Sequence, residues 1–179
     1  MYEILQSLVR MLTPVLAFTT EEIWQFMPHR ATDDTRSVQL NNWPEVNEKY
    51  LDVELAEKWD KILALRSDAS KILEIARANK TIGHSLNAKV TIFADGEDYE
   101  FVKSIEGDLV TIFIISDVSI KKLAEAPTEA QNGEEMPTIK IAVEQASGEK
   151  CERCWMYNEY VGKDENHPTL CKRCADVVG

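Results

Sequence analysis

The stretch CERCWMYNEYVGKDENHPTLCKRC, residues 151–174, contains all four cysteines of this 179-residue chain. They form two Cys-x-x-Cys pairs, and sixteen residues separate the pairs. Each pair can turn tightly enough to present two thiolates to one tetrahedral ion, and this separation is typical of four-cysteine zinc ribbons and knuckles. The stretch has few apolar residues for a core, so a metal would have to stabilise it. We predict one structural zinc ion per chain, with the ligands Cys151, Cys154, Cys171 and Cys174.

Two other uses of the cysteines are a thioredoxin-like redox pair and free structural thiols. A redox Cys-x-x-Cys motif usually occurs singly at the start of a helix, so the second spaced pair favours the metal. No apolar run approaches the roughly 20 residues needed to span a bilayer. The N-terminus also lacks the basic start and cleavage site of a signal peptide. We therefore expect a cytoplasmic protein without a membrane partner, in which thiols stay reduced.

Positive side chains converge on the two cysteine turns, at Lys150, Arg153, Lys172 and Arg173. Trp155 directly follows the first pair. Its ring could stack on a nucleic-acid base or cover the metal site, and the residues alone leave both interpretations open. The cations could bind phosphates or offset the negative charge of the thiolates. For Arg153 nucleic-acid contact is favoured, because a guanidinium serves both phosphates and base edges.

The formal net charge of −11 argues, taken alone, against a nucleic-acid partner. The charge is unevenly distributed, however. Residues 81–146 carry 5 basic and 12 acidic side chains, whereas residues 147–179 carry 5 and 6. The acidity is therefore concentrated in the middle of the chain, and either flank could still contact a polyanion.

Apolar spacing predicts a helix at the N-terminus. Apolar residues recur every three or four positions at Ile4, Leu5, Leu8, Leu12 and Val15. This is the pattern of one helix face. Pro14 is expected to kink or restart the helix. Thr19 and Glu22 then match a capping box, which predicts a short second helix that stops at Pro28.

A long connection and a long helix follow. Residues 29–50 show no sustained period and are expected to be a loop, in which Trp43 has no clear role. Residues 52–79 keep a helical period and end near Gly83. Three basic residues share one side of this helix, Arg66, Arg77 and Lys80. They are weaker candidates for phosphate contact, because such a charge run is more often a solvated face.

Beyond Gly83 the period changes from helical to two. The runs 87–94, 109–116 and 138–146 are rich in Val and Ile and are expected to be strands. Residues 98–108 have helical spacing, and the acidic residues 124–137 are expected to be a mobile loop. The pattern predicts three domains: a helical domain (1–82), a small α/β domain (83–146) and a zinc module (147–179).

Three segments, in this order, resemble class I aminoacyl-tRNA synthetases. LTPVLAFTTEEIWQFMP (12–28) is similar to the helical anticodon-binding domain of the isoleucine, valine and leucine subgroup. IARANKTIGHSLNAKV (75–90) is similar to the end of that domain. KCERCWMYNEYVGKDENHPTLCKRC (150–174) resembles the C-terminal zinc module of bacterial isoleucyl-tRNA synthetases. The resemblance covers nearly the whole chain.

The resemblance implies a multidomain α+β fold: a helical bundle of the anticodon-binding type, a small α/β domain and a C-terminal four-cysteine zinc ribbon or knuckle. It implies recognition of the anticodon stem-loop of tRNA(Ile), with Arg153 and Trp155 at the anticodon. Proteins read RNA mainly through unstacked loop bases, which favours RNA contact for Trp155.

The His-x-Gly-His and Lys-Met-Ser-Lys-Ser motifs of the catalytic half are absent, and the run 82–85, IGHS, has the wrong order to replace the first. The resemblance therefore implies a fragment that neither uses ATP nor forms aminoacyl-tRNA alone. Its partners would be tRNA(Ile) and the catalytic and editing domains of the same polypeptide, and we expect no DNA partner.

Two alternatives from other classes remain. The zinc could stabilise a protein-docking surface only. A DNA-repair glycosylase has a similar zinc finger, but it uses a proline after the initiator Met as nucleophile, and residue 2 here is Tyr2.

Overall fold

Two helices and a long loop make up residues 1–53, the first of two compact units in a computed structural model that describes all residues 1–179. The regular elements of this unit are helix α1 (Tyr2–Leu12), helix α2 (Ala17–Phe26) and two 3₁₀ turns (Val38–Leu40 and Glu48–Tyr50). The helices occur in the order expected from the sequence, but the apolar face predicted for α1 is exposed, with Ile4 at 60% and Leu8 at 44%, and α1 instead buries Gln6 and Val9. The buried core of the unit consists of Val9, Trp24, Met27 and Val38.

Helix α2 starts earlier than predicted. It begins at Ala17, and no side chain caps its N-terminus, so the capping box predicted at Thr19 and Glu22 is wrong. The amide of Thr20 already donates to the carbonyl of Leu16 at 2.9 Å. The chain therefore resumes the helix immediately after the proline turn and leaves Thr19 inside it.

Side-chain hydrogen bonds fix the loop that follows α2. Glu21 accepts a hydrogen bond from the hydroxyl of Ser37 at 2.7 Å. Asp33 accepts from Gln6 at 2.8 Å and from Arg10 at 2.6 Å, both on α1. A segment without periodicity is thus held by both helices of its unit.

Residues 54–179 form the second unit. Its helices are α3 (Val53–Ala78, which starts at the unit boundary), α4 (Gly96–Ser104), α5 (Glu106–Phe113) and α6 (Lys172–Val178). Its strands are β1 (Ala88–Ala94), β2 (Asp117–Lys122), β3 (Gln131–Asn132), β4 (Lys140–Gln145), β5 (Glu149–Lys150) and β6 (Tyr157–Asn158). The larger sheet has the order β2-β1-β4-β3, and β5 pairs with β6 in a separate hairpin.

Helix α3 shares one hydrophobic core with the larger sheet. Leu65 and Leu73 of α3 belong to the same buried cluster as Val90 and Ile92 of β1. The compact units therefore divide next to residue 53, whereas the sequence placed a domain boundary after residue 82. Contacts between residues far apart in sequence decide this grouping, and periodicity does not reveal them.

The strand predicted at residues 109–116 is wrong, because most of that run belongs to helix α5. Leu109 and Phe113 of the run are buried, four residues apart on one helix face. A short apolar run rich in β-branched residues cannot by itself distinguish a buried strand from a buried helix. Strand β2, which follows it, pairs in parallel with β1, and a parallel pair requires such a helical crossover.

The acidic segment 124–137, predicted as a mobile loop, is tied to the core by Asp68 of α3. The buried Asp68 carboxylate accepts backbone N–H bonds from Glu134, Glu135 and Met136 at 2.9–3.0 Å. The same segment contains strand β3 and the buried Met136. The sequence prediction missed this tether because Asp68 lies more than sixty residues away in sequence.

Candidate metal centre and nucleic-acid interface

The four cysteines converge in space. Their sulfur atoms all lie within 4.8 Å of one another, and no pair forms a disulfide. The first pair follows β5, where the Cys151 amide donates to the Met156 carbonyl at 2.9 Å. The second pair lies at the start of α6, where the Cys174 amide donates to the Cys171 carbonyl at 2.9 Å. Two separate turns thus face one point.

The spacing of the sulfur atoms fits a tetrahedral zinc ion. Zinc–sulfur bonds of about 2.3 Å place tetrahedral ligands about 3.8 Å apart. The Cys154 and Cys171 sulfur atoms are separated by 3.8 Å. The four thiols form the only group in residues 1–179 that could hold a metal ion through three or more Cys, His, Asp or Glu side chains.

The ionisation of these thiols also favours a cation. Burial raises the pKa of Cys171 to about 12. Burial also opposes ionisation of Cys151, but backbone N–H groups from both turns outweigh it and lower its pKa to about 6. The four thiols therefore cannot all be ionised at neutral pH without a positive ion among them.

Two of the predicted RNA-binding cations lie against the sulfur cluster. The Arg153 guanidinium donates to the Cys174 sulfur at 3.6 Å. The Cys154 sulfur raises the pKa of Arg173, whose guanidinium also donates to the Met156 sulfur at 3.7 Å. A zinc ion with four thiolates has a net charge of −2, which these two arginines offset. Both have a structural task in addition to any RNA contact.

Trp155 lies at the first cysteine turn, and 57% of its surface is exposed. Its φ angle is +67°, in the left-handed region that is unfavourable for a bulky residue. The turn imposes this conformation, with the Trp155 amide donating to the Cys151 carbonyl at 2.8 Å. The Lys150 amine lies 4.2 Å from the centre of the indole ring. Of the remaining predicted cations, Lys172 is exposed at the start of α6.

The weaker candidates on α3 lie apart from the cysteines in sequence, and two have partners within the chain. Arg66 donates to the Ile112 carbonyl at 3.1 Å, in the last turn of α5. Arg77 pairs with Glu74 at 3.2 Å. Lys80 follows the helix with a left-handed φ of +61° and is exposed.

Sequence reasoning missed the residues that anchor the cysteine module. The Ser116 hydroxyl accepts a hydrogen bond from the Tyr157 amide at 2.7 Å and donates to the Leu86 carbonyl at 2.5 Å. Nothing in the sequence marks Ser116. Gly148 has a φ of +84°, and a Cβ there would lie 2.3 Å from the Asn158 carbonyl carbon. The Ser-Gly pair before β5 was the available signal for this tight turn.

Family models match two parts of the chain. Residues 1–92 match the anticodon-binding domain of tRNA ligase, and residues 148–177 match the zinc finger found in FPG and IleRS. The chain belongs to the anticodon-binding domain family of tRNA ligases. The zinc-finger match agrees with the sulfur cluster, and the module is a structural zinc site.

Three curated relatives are all isoleucine-tRNA ligases. The chain is 52% identical to isoleucine-tRNA ligase of Desulforamulus reducens and 48% identical to that of Moorella thermoacetica. It is 50% identical to that of Caldanaerobacter subterraneus subsp. tengcongensis. Each match covers 99% of this chain, and the chain spans 19% of the length of each relative. None of its helices has the length and apolar character that a membrane crossing requires.

Proposed function

We propose that the chain is the tRNA-binding C-terminal region of an isoleucine-tRNA ligase. It recognises the anticodon stem-loop of tRNA(Ile) and positions that tRNA for aminoacylation. The ATP-dependent catalytic domain and the editing domain belong to other parts of the same polypeptide, which works in the cytoplasm. The observation that carries this proposal is the match of an anticodon-binding domain and a zinc finger within one chain that aligns over 99% of its length with isoleucine-tRNA ligases.

Each of the three predicted domains has its own role in the proposed tRNA complex. Residues 1–82 lie along the anticodon stem, residues 83–146 connect the flanks, and residues 147–179 reach the loop. The ligands of the zinc ion are Cys151, Cys154, Cys171 and Cys174. A closed site of four thiolates leaves no open position for a substrate, so the ion stabilises the module and does no chemistry.

The RNA-binding surface of the module is formed by Trp155 and the cations around it. An exposed indole that is fixed by its backbone loses little conformational freedom when a base stacks on it. Lys150 and Lys172 supply charge for nearby phosphates. Arg153 and Arg173 contact the RNA as well, while they also offset the thiolate charge.

The alternative of a protein-docking module makes a different prediction in the full-length ligase. Trp155→Ala should raise the KM for tRNA(Ile) about tenfold, a loss typical of one stacked base. Isoleucine-dependent exchange of ATP and pyrophosphate needs no tRNA and should be unchanged. A docking module would leave the KM for tRNA at its normal value, and that result would reject the proposal. A glycosylase is not favoured, since residues 1–92 match a tRNA ligase domain.

A further inference from the structure

A cleft of about 390 Å³ lies in the first unit, away from the cysteine module in sequence. It is bounded by the end of α1, the proline turn, the start of α2 and residues 38–43. A volume of this size is within the range of small-ligand sites and is sufficient for a nucleobase with part of its ribose. Its lining includes Arg10, Val38, Gln39, Asn42 and Trp43.

Trp43 is the aromatic wall of the cleft. Its side chain is 63% exposed, whereas Trp24 in the same unit is completely buried. Trp43 does not belong to the buried cluster of the unit or to the hydrophobic side chains packed against it. An exposed indole beside a cleft offers a flat surface on which a base can stack.

Arg10, in the last turn of α1, is a preorganised cation that lines the cleft. Asp33 holds one nitrogen of its guanidinium at 2.6 Å, and the guanidinium carbon lies 5.4 Å from the centre of the Trp24 ring. A second nitrogen makes only a long 3.5 Å contact with the Asn42 carbonyl, and its Nε is buried without a partner. The guanidinium is therefore fixed in place while part of its hydrogen-bonding capacity is unused.

Three side-chain amides lie on residues 38–43. One of them is hydrogen-bonded within the loop, and the other two have no hydrogen-bond partner. Asn41 donates to the Asp34 and Ser37 carbonyls at 2.9 Å and accepts from the Asp34 amide at 2.9 Å. The amides of Gln39 and Asn42 form no side-chain hydrogen bond within the chain, and both residues are exposed. A side-chain amide can pair with the Watson–Crick edge of a base through one donor and one acceptor.

The surrounding charge favours a base over a phosphate. Residues 1–53 carry 4 basic and 8 acidic side chains, so a neutral base suits this cleft better than a phosphate does. A neutral, planar ligand can stack on the Trp43 indole. Donors and acceptors at its edge can pair with the two free side-chain amides, and Asp33 already balances the charge of Arg10. An apolar helix from another protein would leave those amides unpaired.

We propose that this cleft holds one unstacked nucleobase of the bound tRNA, stacked on Trp43 and hydrogen-bonded by Gln39 and Asn42 beside Arg10. The inference rests on the proposed tRNA-binding function and adds a second base-binding site, separate from Trp155. The site distinguishes bases by their edges, and its contribution to affinity depends little on salt.

Fluorine NMR of the full, zinc-loaded chain tests this site and the module together. The four tryptophans are replaced biosynthetically by 5-fluorotryptophan, and each resonance is assigned by a single Trp→Phe substitution. The probe is a transcript of tRNA(Ile). We expect the Trp43 resonance to move on titration, and to move further than the resonance of the buried Trp24, whose ring lies behind Arg10.

The possible results separate the two proposals. If Trp155 responds and Trp43 does not, the cleft proposal is overturned while the tRNA-binding function stands. If Trp43 responds and Trp155 does not, the cleft is supported and the proposed role of the zinc module fails. If neither responds, both are overturned.

Affinity measurements with matched variants provide the second test. Trp43→Ala should weaken tRNA binding about tenfold without changing its salt dependence, and Trp43→Phe should retain most of the affinity. Phe26→Ala is the control, because Phe26 is an exposed aromatic of the same unit that does not line the cleft. Equal affinities for Trp43→Ala and the unchanged chain would show that the cleft holds no base.

Discussion

The Lys150 amine lies 4.2 Å from the centre of the Trp155 ring, on a turn that the metal site closes. Such a cation–π contact is worth about 0.5–1 kcal/mol at an exposed position. The Lys150 amine restrains one face of the indole, and the left-handed backbone of Trp155 restrains where its side chain can point. The module therefore holds a strained aromatic residue in the open, which is a feature of binding sites more than of cores.

Replacing Trp155 by glycine or alanine separates its role in binding from its cost in stability. Both variants lose the ring, so both should bind tRNA about tenfold more weakly. Glycine accepts a φ of +67° without strain, so Trp155→Gly should be more stable than Trp155→Ala by about 1 kcal/mol. Chemical denaturation of the zinc-loaded chain measures the difference. Equal stabilities would mean that the left-handed turn carries no strain.

Arg153 should contribute to zinc affinity, whereas Lys172 should contribute only to tRNA binding. Arg153→Gln removes a donor to the Cys174 sulfur and should weaken zinc affinity about tenfold, as loss of a group that contacts a metal ligand commonly does. Lys172→Gln should leave zinc affinity unchanged. If Lys172 contacts a phosphate, its loss should reduce the salt slope of tRNA binding by about 0.7–0.9. Competition with a chromogenic chelator measures the metal affinity, and unchanged zinc affinity in Arg153→Gln would contradict the structural role.

Removal of zinc should unfold the cysteine module selectively. Metal analysis should give one zinc per chain, and chelation should abolish amide protection from β5 to the end of α6. Residues 1–53 form a unit with its own buried cluster, so their protection should be retained. Hydrogen exchange read by mass spectrometry resolves the two regions. Simultaneous loss of protection in both would show that the first unit depends on the metal.

Ser116 should position the module without touching RNA. Ser116→Ala leaves the Tyr157 amide without its acceptor and should cost about 1–3 kcal/mol. We expect faster amide exchange in β5 and β6, weaker tRNA binding and unchanged zinc content. Ser104→Ala is the matched control, since the Ser104 hydroxyl bonds only to the Phe101 carbonyl on an exposed helix end. A Ser116→Ala chain with normal exchange in the hairpin would rule out the anchoring role.

Local patterns predicted the zinc-binding residues and most helices. Each Cys-x-x-Cys turn places its two sulfur atoms close together by local geometry alone. The sequence was therefore sufficient to predict that Cys151, Cys154, Cys171 and Cys174 form one site. Helix α3 follows from its period because, from Ile62 onward, it buries residues three or four positions apart. The prediction failed at residues 109–116, where a run of apolar residues is compatible with a strand or a helix until its neighbours are known.

Contacts between distant segments were not predictable from the sequence. The carboxylate of Asp68 binds three amides of the acidic segment, and the hydroxyl of Ser116 binds Tyr157 forty-one positions away. The cleft at Trp43 likewise depends on Arg10, which belongs to helix α1 more than thirty positions earlier in the sequence. In each case the residue type is common, and only the fold gives it a partner.

Binding of tRNA to the zinc-loaded chain tests whether the chain recognises the anticodon. The measurement compares a transcript of tRNA(Ile) with the same transcript in which only the anticodon bases are replaced. We expect clearly tighter binding of the unchanged transcript, because mismatched bases leave the hydrogen-bonding groups of a base-reading site unpaired. Equal affinity for the two transcripts would contradict it.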